Sequence, residues 1–135
     1  MRSLVLAASA LSALASVACA QECENALDRR TMNDCAALAF KKSDAELNAL
    51  YKEAESRLKT DAEAKKLLIA TERAWLVFRN AECAFSASGT AGGSIYPMVY
   101  SHCLDTLTKA RITDLKRYLQ CEEGILSCPV PPASK

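Results

Sequence analysis

The chain has 135 residues, of which half are hydrophobic and about a quarter are charged, and this length predicts one small globular domain. The 17 basic and 16 acidic residues nearly cancel, so the charge provides no general attraction to nucleic acid or to an anionic membrane. A single histidine argues against histidine-based catalysis and against a multi-histidine metal site.

The first twenty residues have the layout of a secretory signal peptide. Residues 1–3 are a short basic start, residues 4–17 are an apolar run, and residues 18–20 are the small residues of a cleavage site. Cleavage near Ala20 predicts an exported chain without a membrane-inserted segment. Two alternatives remain: an uncleaved anchor, although roughly 17 residues is short for a span of about 20, and a lipoprotein acylated at Cys19.

Seven cysteines in so short a chain indicate an oxidising compartment. Removal or acylation of Cys19 leaves an even set of six, which predicts three disulfides: Cys23, Cys35, Cys83, Cys103, Cys121 and Cys128. A cysteine metal site would favour close C-x-x-C pairs, and the sequence has none. We therefore expect neither a metal nor another cofactor.

A first helix is predicted from about Met32 to Leu58. No glycine or proline precedes Gly89, so no residue of intrinsically low helix propensity interrupts this segment. Thr31, or Asn33 with Asp34, is the candidate N-cap. Apolar residues recur at three- and four-residue spacing and predict the buried face: Phe40, Leu47, Tyr51, Ala54 and Leu58.

A second helix is predicted to follow a turn and N-cap at residues 60–63 and to run to about Phe85. Leu68 and Trp75 widen its apolar stripe, and Trp75 is expected in the core rather than as a sugar or cofactor platform. The regular apolar positions of this helix predict its buried face: Leu67, Thr71, Ala74, Phe78, Ala81 and Phe85.

The segment 86–96, rich in glycine, separates the second helix from a third, whose first turn suits Pro97. The third helix carries Tyr100, Leu104, Leu107, Leu115 and Tyr118 as apolar positions. Together these elements predict an all-α fold, an antiparallel three-helix bundle stapled by disulfides. We expect residues 1–20 to be the signal peptide, 21–120 the helical domain and 121–135 an irregular tail.

Six cysteines allow fifteen disulfide pairings, among which sequence alone does not choose. The helix layout favours one set, in which one bridge clamps the segment 86–96, one closes the tail and one ties the N-terminal lead-in to the first helix: Cys83–Cys103, Cys121–Cys128 and Cys23–Cys35.

Charged residues occur within the apolar faces of the first and third helices. Asp44 and Arg111 both interrupt such a face, where an unpaired charge is costly to desolvate. We therefore predict an Asp44–Arg111 pair, with Asn48 completing the hydrogen bonds. This arrangement is either a network that fixes helix register or a polar ligand site. Arg79 is predicted to bridge Asp105 beside the disulfide.

Three groups of residues together resemble the LprI-like lysozyme inhibitor family, over roughly residues 23–119. The groups are Cys35-Ala36 with Asp44, Leu47, Asn48 and Tyr51; Arg73-Ala74-Trp75 with Arg79 and Cys83; and Gly92-Gly93-Ser94 with Cys103, Thr108 and Arg111. The resemblance implies a helical bacterial protein, periplasmic or secreted, with a lysozyme as its protein partner. The chain departs from the usual pattern at Glu72, where the family often has glutamine.

The 86–96 loop is the best candidate for an inhibitory site. A glycine-hinged loop clamped by a disulfide loses little entropy when it enters an enzyme cleft. With Gly92 and Gly93 shaping the loop, the Ser94 hydroxyl and the Tyr96 phenol are expected to reach the two catalytic carboxylates of a lysozyme. The alternative is an ordinary connection between helices. A mature charge near zero gives no electrostatic steering toward a basic lysozyme.

Catalysis is not expected, because the sequence contains no G-x-S-x-G, H-E-x-x-H or phosphate-loop motif. His102 is interpreted as an incidental exposed residue. The alternative function is a non-enzymatic envelope module that binds a small ligand, or responds to stress, through a polar site around Asp44 and Arg111.

Overall fold

The computed structural model describes Cys23, residues 25–122 and residues 124–133. It contains the helices α1 (Arg29–Arg57), α2 (Ala62–Ser86) and α3 (Tyr96–Leu119), and a 3₁₀ turn at Ser88–Thr90. The described residues include no strand, and the predicted all-α fold is confirmed. The predicted signal peptide, residues 1–20, and Cys19 lie outside the described residues.

The helices run up, down and up. At one end of the bundle Asn33 of α1 donates a hydrogen bond to the carbonyl of Ser94, just before α3. At the other end Arg57 of α1 donates to the carbonyl of Leu119, the last residue of α3. The first and third helices are therefore parallel, and α2, which connects them along the chain, runs antiparallel to both. None of the helices among the described residues is both long and apolar enough to cross a bilayer.

The helix starts reflect the capping chemistry of two aspartates. Asp61 caps α2 as predicted, and its carboxylate accepts from the Ala64 N–H at 2.9 Å. The predicted cap of α1 is wrong, because α1 begins earlier: Asp28 is the N-cap and accepts from both the N–H and the hydroxyl of Thr31. These hydrogen bonds lower the pKa of Asp28. Thr31 is thus the partner of the cap rather than the cap.

The apolar core lies between α1 and α3. Leu47 packs with Ile112 and Leu115, and farther along the bundle Ala54 and Leu58 pack with Val130 of the tail. The predicted buried faces of these two helices are confirmed, because every predicted position on them is buried or half-buried.

The predicted buried face of α2 is wrong. All six of its positions are exposed, and we call them the α2 stripe: Leu67, Thr71, Ala74, Phe78, Ala81 and Phe85. The opposite face is buried instead and carries Glu72, Arg79 and Cys83. Two ion pairs and a disulfide hold α2 to the bundle, so its inward face is mostly polar. Spacing alone defines an apolar face but does not say what covers it.

The three disulfides pair as expected. Their Cα–Cα separations are 5.6 Å for Cys23–Cys35 and 5.5 Å for both Cys83–Cys103 and Cys121–Cys128, which are ordinary values. The second bridge joins the end of α2 to the first turns of α3 and closes the base of the 86–96 loop.

Candidate functional site

The 86–96 loop has a conformation that depends on two of its glycines. Gly92 has a φ of +76°, in the left-handed region that glycine adopts without strain. At Gly93, an added Cβ would lie 3.1 Å from the carbonyl oxygen of Thr90, closer than ordinary van der Waals contact. A side chain at either position would disturb the loop.

Hydrogen bonds within the loop hold it in a series of tight turns. The N–H of Thr90 donates to the carbonyl of Ala87 at 2.9 Å, and the N–H of Gly93 donates to that of Thr90 at 2.9 Å. The N–H of Tyr96 then donates to the carbonyl of Gly93 at 3.2 Å. Together with the disulfide at its base, these bonds make the loop pre-ordered.

Helix α1 anchors the end of the loop at Ser94. A guanidinium N–H of Arg29 donates to the Ser94 hydroxyl at 2.8 Å, and the Asn33 amide donates to the Ser94 carbonyl at 3.0 Å. Both anchors lie more than 60 residues from Ser94 in sequence, so no local pattern could have identified them. Among the described residues Arg29 forms no ion pair, and its positive charge is exposed beside the loop.

Tyr96 begins α3 and is half-buried. Its ring stacks on that of Tyr100, with centroids 5.7 Å apart and planes 13° from parallel. This stacking restricts the Tyr96 ring. The structure therefore brings Gly92, Gly93, Ser94 and Tyr96 into one short surface segment.

A second polar cluster centres on Arg79 of α2. Its guanidinium donates to a carboxylate oxygen of Asp44 at 2.9 Å and to the hydroxyl of Thr108 at 3.1 Å. It also lies 5.0 Å from the ring centroids of both Phe40 and Trp75. The predicted Asp44–Arg111 pair is wrong: the partner of Asp44 is Arg79.

Arg111 of α3 pairs with Glu72 of α2 instead. Two guanidinium nitrogens of Arg111 donate to one carboxylate oxygen of Glu72, each at 3.1 Å. The predicted bridge between Arg79 and Asp105 is also wrong, because Asp105 pairs with Lys109 on its own helix at 2.7 Å. Sequence reasoning missed Glu72. The available signal was its helical spacing from Arg79 and Cys83, seven and eleven residues on, which places all three on one face of α2.

Between α1 and α2 lies a cavity of about 490 Å³, which we call the α1–α2 groove. Its lining mixes carboxylates, guanidinium groups and apolar side chains: Asp44, Leu47, Asn48, Tyr51, Glu55, Ile69, Glu72, Arg73, Leu76 and Arg79. The Asn48 amide donates to the backbone carbonyl and the carboxylate of Asp44. Burial, with the nearby carboxylates of Glu55 and Glu72, raises the pKa of Tyr51. The groove therefore presents the Tyr51 phenol among other hydrogen-bonding groups.

The other two residues considered from sequence are less prominent. Trp75 is half-buried and packs against the cluster of Leu47, Ile112 and Leu115. His102 is exposed on α3.

Comparison with known proteins gives two matches. The family model described as "Lysozyme inhibitor LprI" matches residues 19–115. An uncharacterised protein of Rhizobium meliloti (strain 1021) is 31% identical over 114 residues, which cover 76% of this chain and 82% of the relative. No solved structure matches.

Proposed function

This chain belongs to the lysozyme inhibitor LprI family, and from that premise we propose that it is an exported inhibitor that presents the 86–96 loop to the active-site cleft of a lysozyme. Disulfides are typical of secreted and periplasmic proteins, and the described part of the chain contains three. Export also agrees with the signal peptide predicted from residues 1–20.

The observation that carries the proposal is the pre-ordered end of the loop. Ser94 is exposed, yet it accepts two hydrogen bonds from α1, and the Cys83–Cys103 bridge closes the loop base. A segment fixed before binding loses little conformational entropy when it enters a cleft. The two glycines leave this end without side chains that would hinder close approach.

The chemistry of the loop end suits a lysozyme site. Such sites use two carboxyl groups in different protonation states, one ionised and one carrying a proton. The Arg29 guanidinium would pair with the ionised carboxylate through charge-assisted hydrogen bonds. The Ser94 hydroxyl and the Tyr96 phenol both donate and accept, so either can bond the protonated carboxyl.

The test is the lysis of a peptidoglycan suspension by animal-type lysozyme, with and without equimolar oxidised mature protein. We expect inhibition, and we expect R29A, S94A and Y96F each to weaken it about tenfold or more, as truncation at a binding hot spot does. Arg30→Ala and Ser127→Ala are matched controls at exposed positions and should inhibit like the natural chain. A folded, oxidised protein without inhibitory activity, or inhibition that survives all three substitutions, would overturn the proposal.

A second candidate function rests on the α1–α2 groove. Its volume falls in the range of small-molecule sites, and its wall supplies hydrogen-bonding groups beside the Tyr51 ring. A groove ligand would change the fluorescence of Trp75, which lies against Arg79 in the groove wall. Titration with soluble peptidoglycan fragments tests this function. A saturable change that is lost in Asn48→Ala supports it, and an unchanged signal at millimolar ligand contradicts it.

A further inference from the structure

The α2 stripe has the spacing of a helix–helix interface. Its six positions follow one another at intervals of four, three, four, three and four residues. This alternation repeats every seven residues, as the seam positions of coiled coils do. Its three large side chains are strongly exposed: Leu67 is 68% exposed, Phe78 is 53% and Phe85 is 76%. Beside the stripe, Val77 is 71% exposed.

This face is not needed to hold α2 in the bundle, because the opposite face supplies the ion pairs and the disulfide. From Leu67 to Phe85 the stripe runs about 27 Å along the helix, at 1.5 Å per residue. Continuous apolar surface of this kind on a small soluble protein marks an interaction site. The seam spacing specifies that the partner element is a helix.

The stripe is complementary to itself when two copies of α2 run antiparallel. A two-fold axis that crosses the stripe at the level of residue 76 places Phe78 of one copy opposite Ala74 of the other. The same axis places Thr71 opposite Ala81 and Leu67 opposite Phe85. The inner layers therefore combine a larger side chain with a smaller one, as close packing requires. A parallel pair would instead place Phe78 on Phe78 and Ala74 on Ala74, giving overfilled and underfilled layers in turn.

The outermost pair of the seam, Leu67 with Phe85, combines two large residues, and it lies at a cavity that can receive them. About 430 Å³ of space lies between the first half of α2 and the tail, lined by Leu67, Leu68 and Val130 among others. Phe85, the most exposed of the three large side chains in the stripe, lies at the opposite end of the same face. The two-fold axis brings Phe85 of each copy to the cavity beside Leu67 of the other.

We propose that this face is a self-association surface, on which α2 of a second copy packs antiparallel and inserts Phe85 beside Leu67. The interaction is isologous, so it closes as a dimer and does not propagate. Val77 meets its own counterpart near the axis. The two 86–96 loops then lie at opposite ends of the paired helices, so the dimer exposes both loops and is independent of the proposed inhibition.

The available area indicates a reversible dimer. With roughly 200 Å² of surface on each phenylalanine, Phe78 and Phe85 together expose about 250 Å² per copy. Leu67, Val77 and the exposed alanines bring the face to roughly 600 Å² per copy, below the value of about 800 Å² per partner in a standard interface. We expect a dissociation constant in the micromolar range.

Sedimentation equilibrium of the oxidised mature protein from about 2 to 500 μM tests the proposal. We expect a monomer–dimer equilibrium, and in F78E a dissociation constant raised at least tenfold, with an unchanged helical circular dichroism spectrum because Phe78 is exposed. Leu38→Glu is the matched control, because Leu38 is 49% exposed on α1, away from the stripe. The dissociation constant of the L38E dimer should equal that of the natural chain. A chain that stays monomeric at 500 μM, or a dimer that F78E leaves intact, overturns the proposal.

Cross-linking tests the direction of the pairing. With a short bis-maleimide, Val77→Cys should give a covalent dimer, whereas Phe85→Cys should not, because the two Phe85 positions of an antiparallel pair lie about 27 Å apart. Efficient cross-linking through position 85 would show a parallel pair and overturn the antiparallel arrangement.

Discussion

Arg111 and Glu72 form a salt bridge that joins α3 to α2, and both side chains are at least nine-tenths buried. A buried pair of this kind adds little net stability over an apolar substitute, but removal of one partner leaves an uncompensated buried charge. The bridge therefore makes the position of α2 sensitive to changes at either residue.

Glu72→Ala should lower the free energy of unfolding by about 3 kcal/mol, as expected when a buried ion pair loses one partner. E72Q should have a smaller effect, because an amide oxygen still accepts from both Arg111 nitrogens. Urea unfolding followed by Trp75 fluorescence measures both. Glu46→Ala is the control, since the pair of Glu46 with Lys116 is half-exposed and pairs at the surface contribute up to about 1 kcal/mol. Equal losses at positions 72 and 46 would contradict this account.

Arg79 depends on the shape of its guanidinium as well as on its charge. It lies against the rings of Phe40 and Trp75 while it bonds Asp44 and Thr108, and a lysine cannot reproduce this combination. R79K should therefore reduce the free energy of unfolding by about 1–2 kcal/mol, within the range of lost cation–π and hydrogen-bond contributions. Arg117→Lys should leave stability nearly unchanged. Arg117 also has an aspartate and an aromatic ring beside it, but its side chain is 70% exposed.

The ion pairs of α2 are the part of the fold that the sequence did not predict. Apolar spacing was sufficient for α1 and α3, because Leu47 and Leu115 pack directly on each other's helices. It misled for α2, whose most regular apolar face points to solvent. The ion pairs were mispredicted for a related reason: Asp44 and Arg111 interrupt apolar faces, but the rotation of α2 supplies each with a partner other than the one expected. The rotation of α2 depends on its two ion pairs, which join residues 35 and 39 positions apart.

The 86–96 loop was likewise predicted only in its local features. Its glycines and the flanking cysteines predicted a clamped turn, and the left-handed conformation of Gly92 agrees with that pattern. The anchors from Arg29 and Asn33 were not predictable, because an arginine near the start of a helix and an asparagine at a candidate cap both have commoner local roles.

Acid should destabilise the protein in part through Asp105. Burial acts to raise the pKa of this carboxyl group, but hydrogen bonds from Lys109 and Ser43, with the charges of Lys109 and His102, together outweigh it, so the pKa lies below its ordinary value of 3.8. A carboxyl whose pKa is lower in the folded state stabilises the fold above about pH 4 and loses this contribution as the pH falls through its folded pKa.

We therefore expect the free energy of unfolding, measured by urea titration from pH 7 to pH 2, to fall below about pH 4. Asp105→Asn should be less stable at neutral pH and should show a shallower decline in acid. An equally steep decline in D105N would assign the acid sensitivity to other carboxyl groups. Asp28 is the nearest alternative, because its pKa is also lowered, and Asp28→Asn tests it in the same titration.

The Cys83–Cys103 bridge should matter both for stability and for the proposed inhibition. Replacing both residues by serine opens a closed segment of 20 residues, for which the chain-entropy relation gives a loss of about 3 kcal/mol. It also frees the base of the 86–96 loop, so inhibition of lysozyme should weaken more than the loss of folded protein explains.

Removal of the Cys121–Cys128 disulfide, which spans seven residues, is the control and should lower the free energy of unfolding by about 2 kcal/mol by the same relation. That change lies in the tail, and inhibition by the folded fraction should be unchanged. Both variants are to be compared at a temperature where they remain folded. Equal inhibition by the two would show that the Cys83–Cys103 disulfide does not contribute to inhibition by the 86–96 loop.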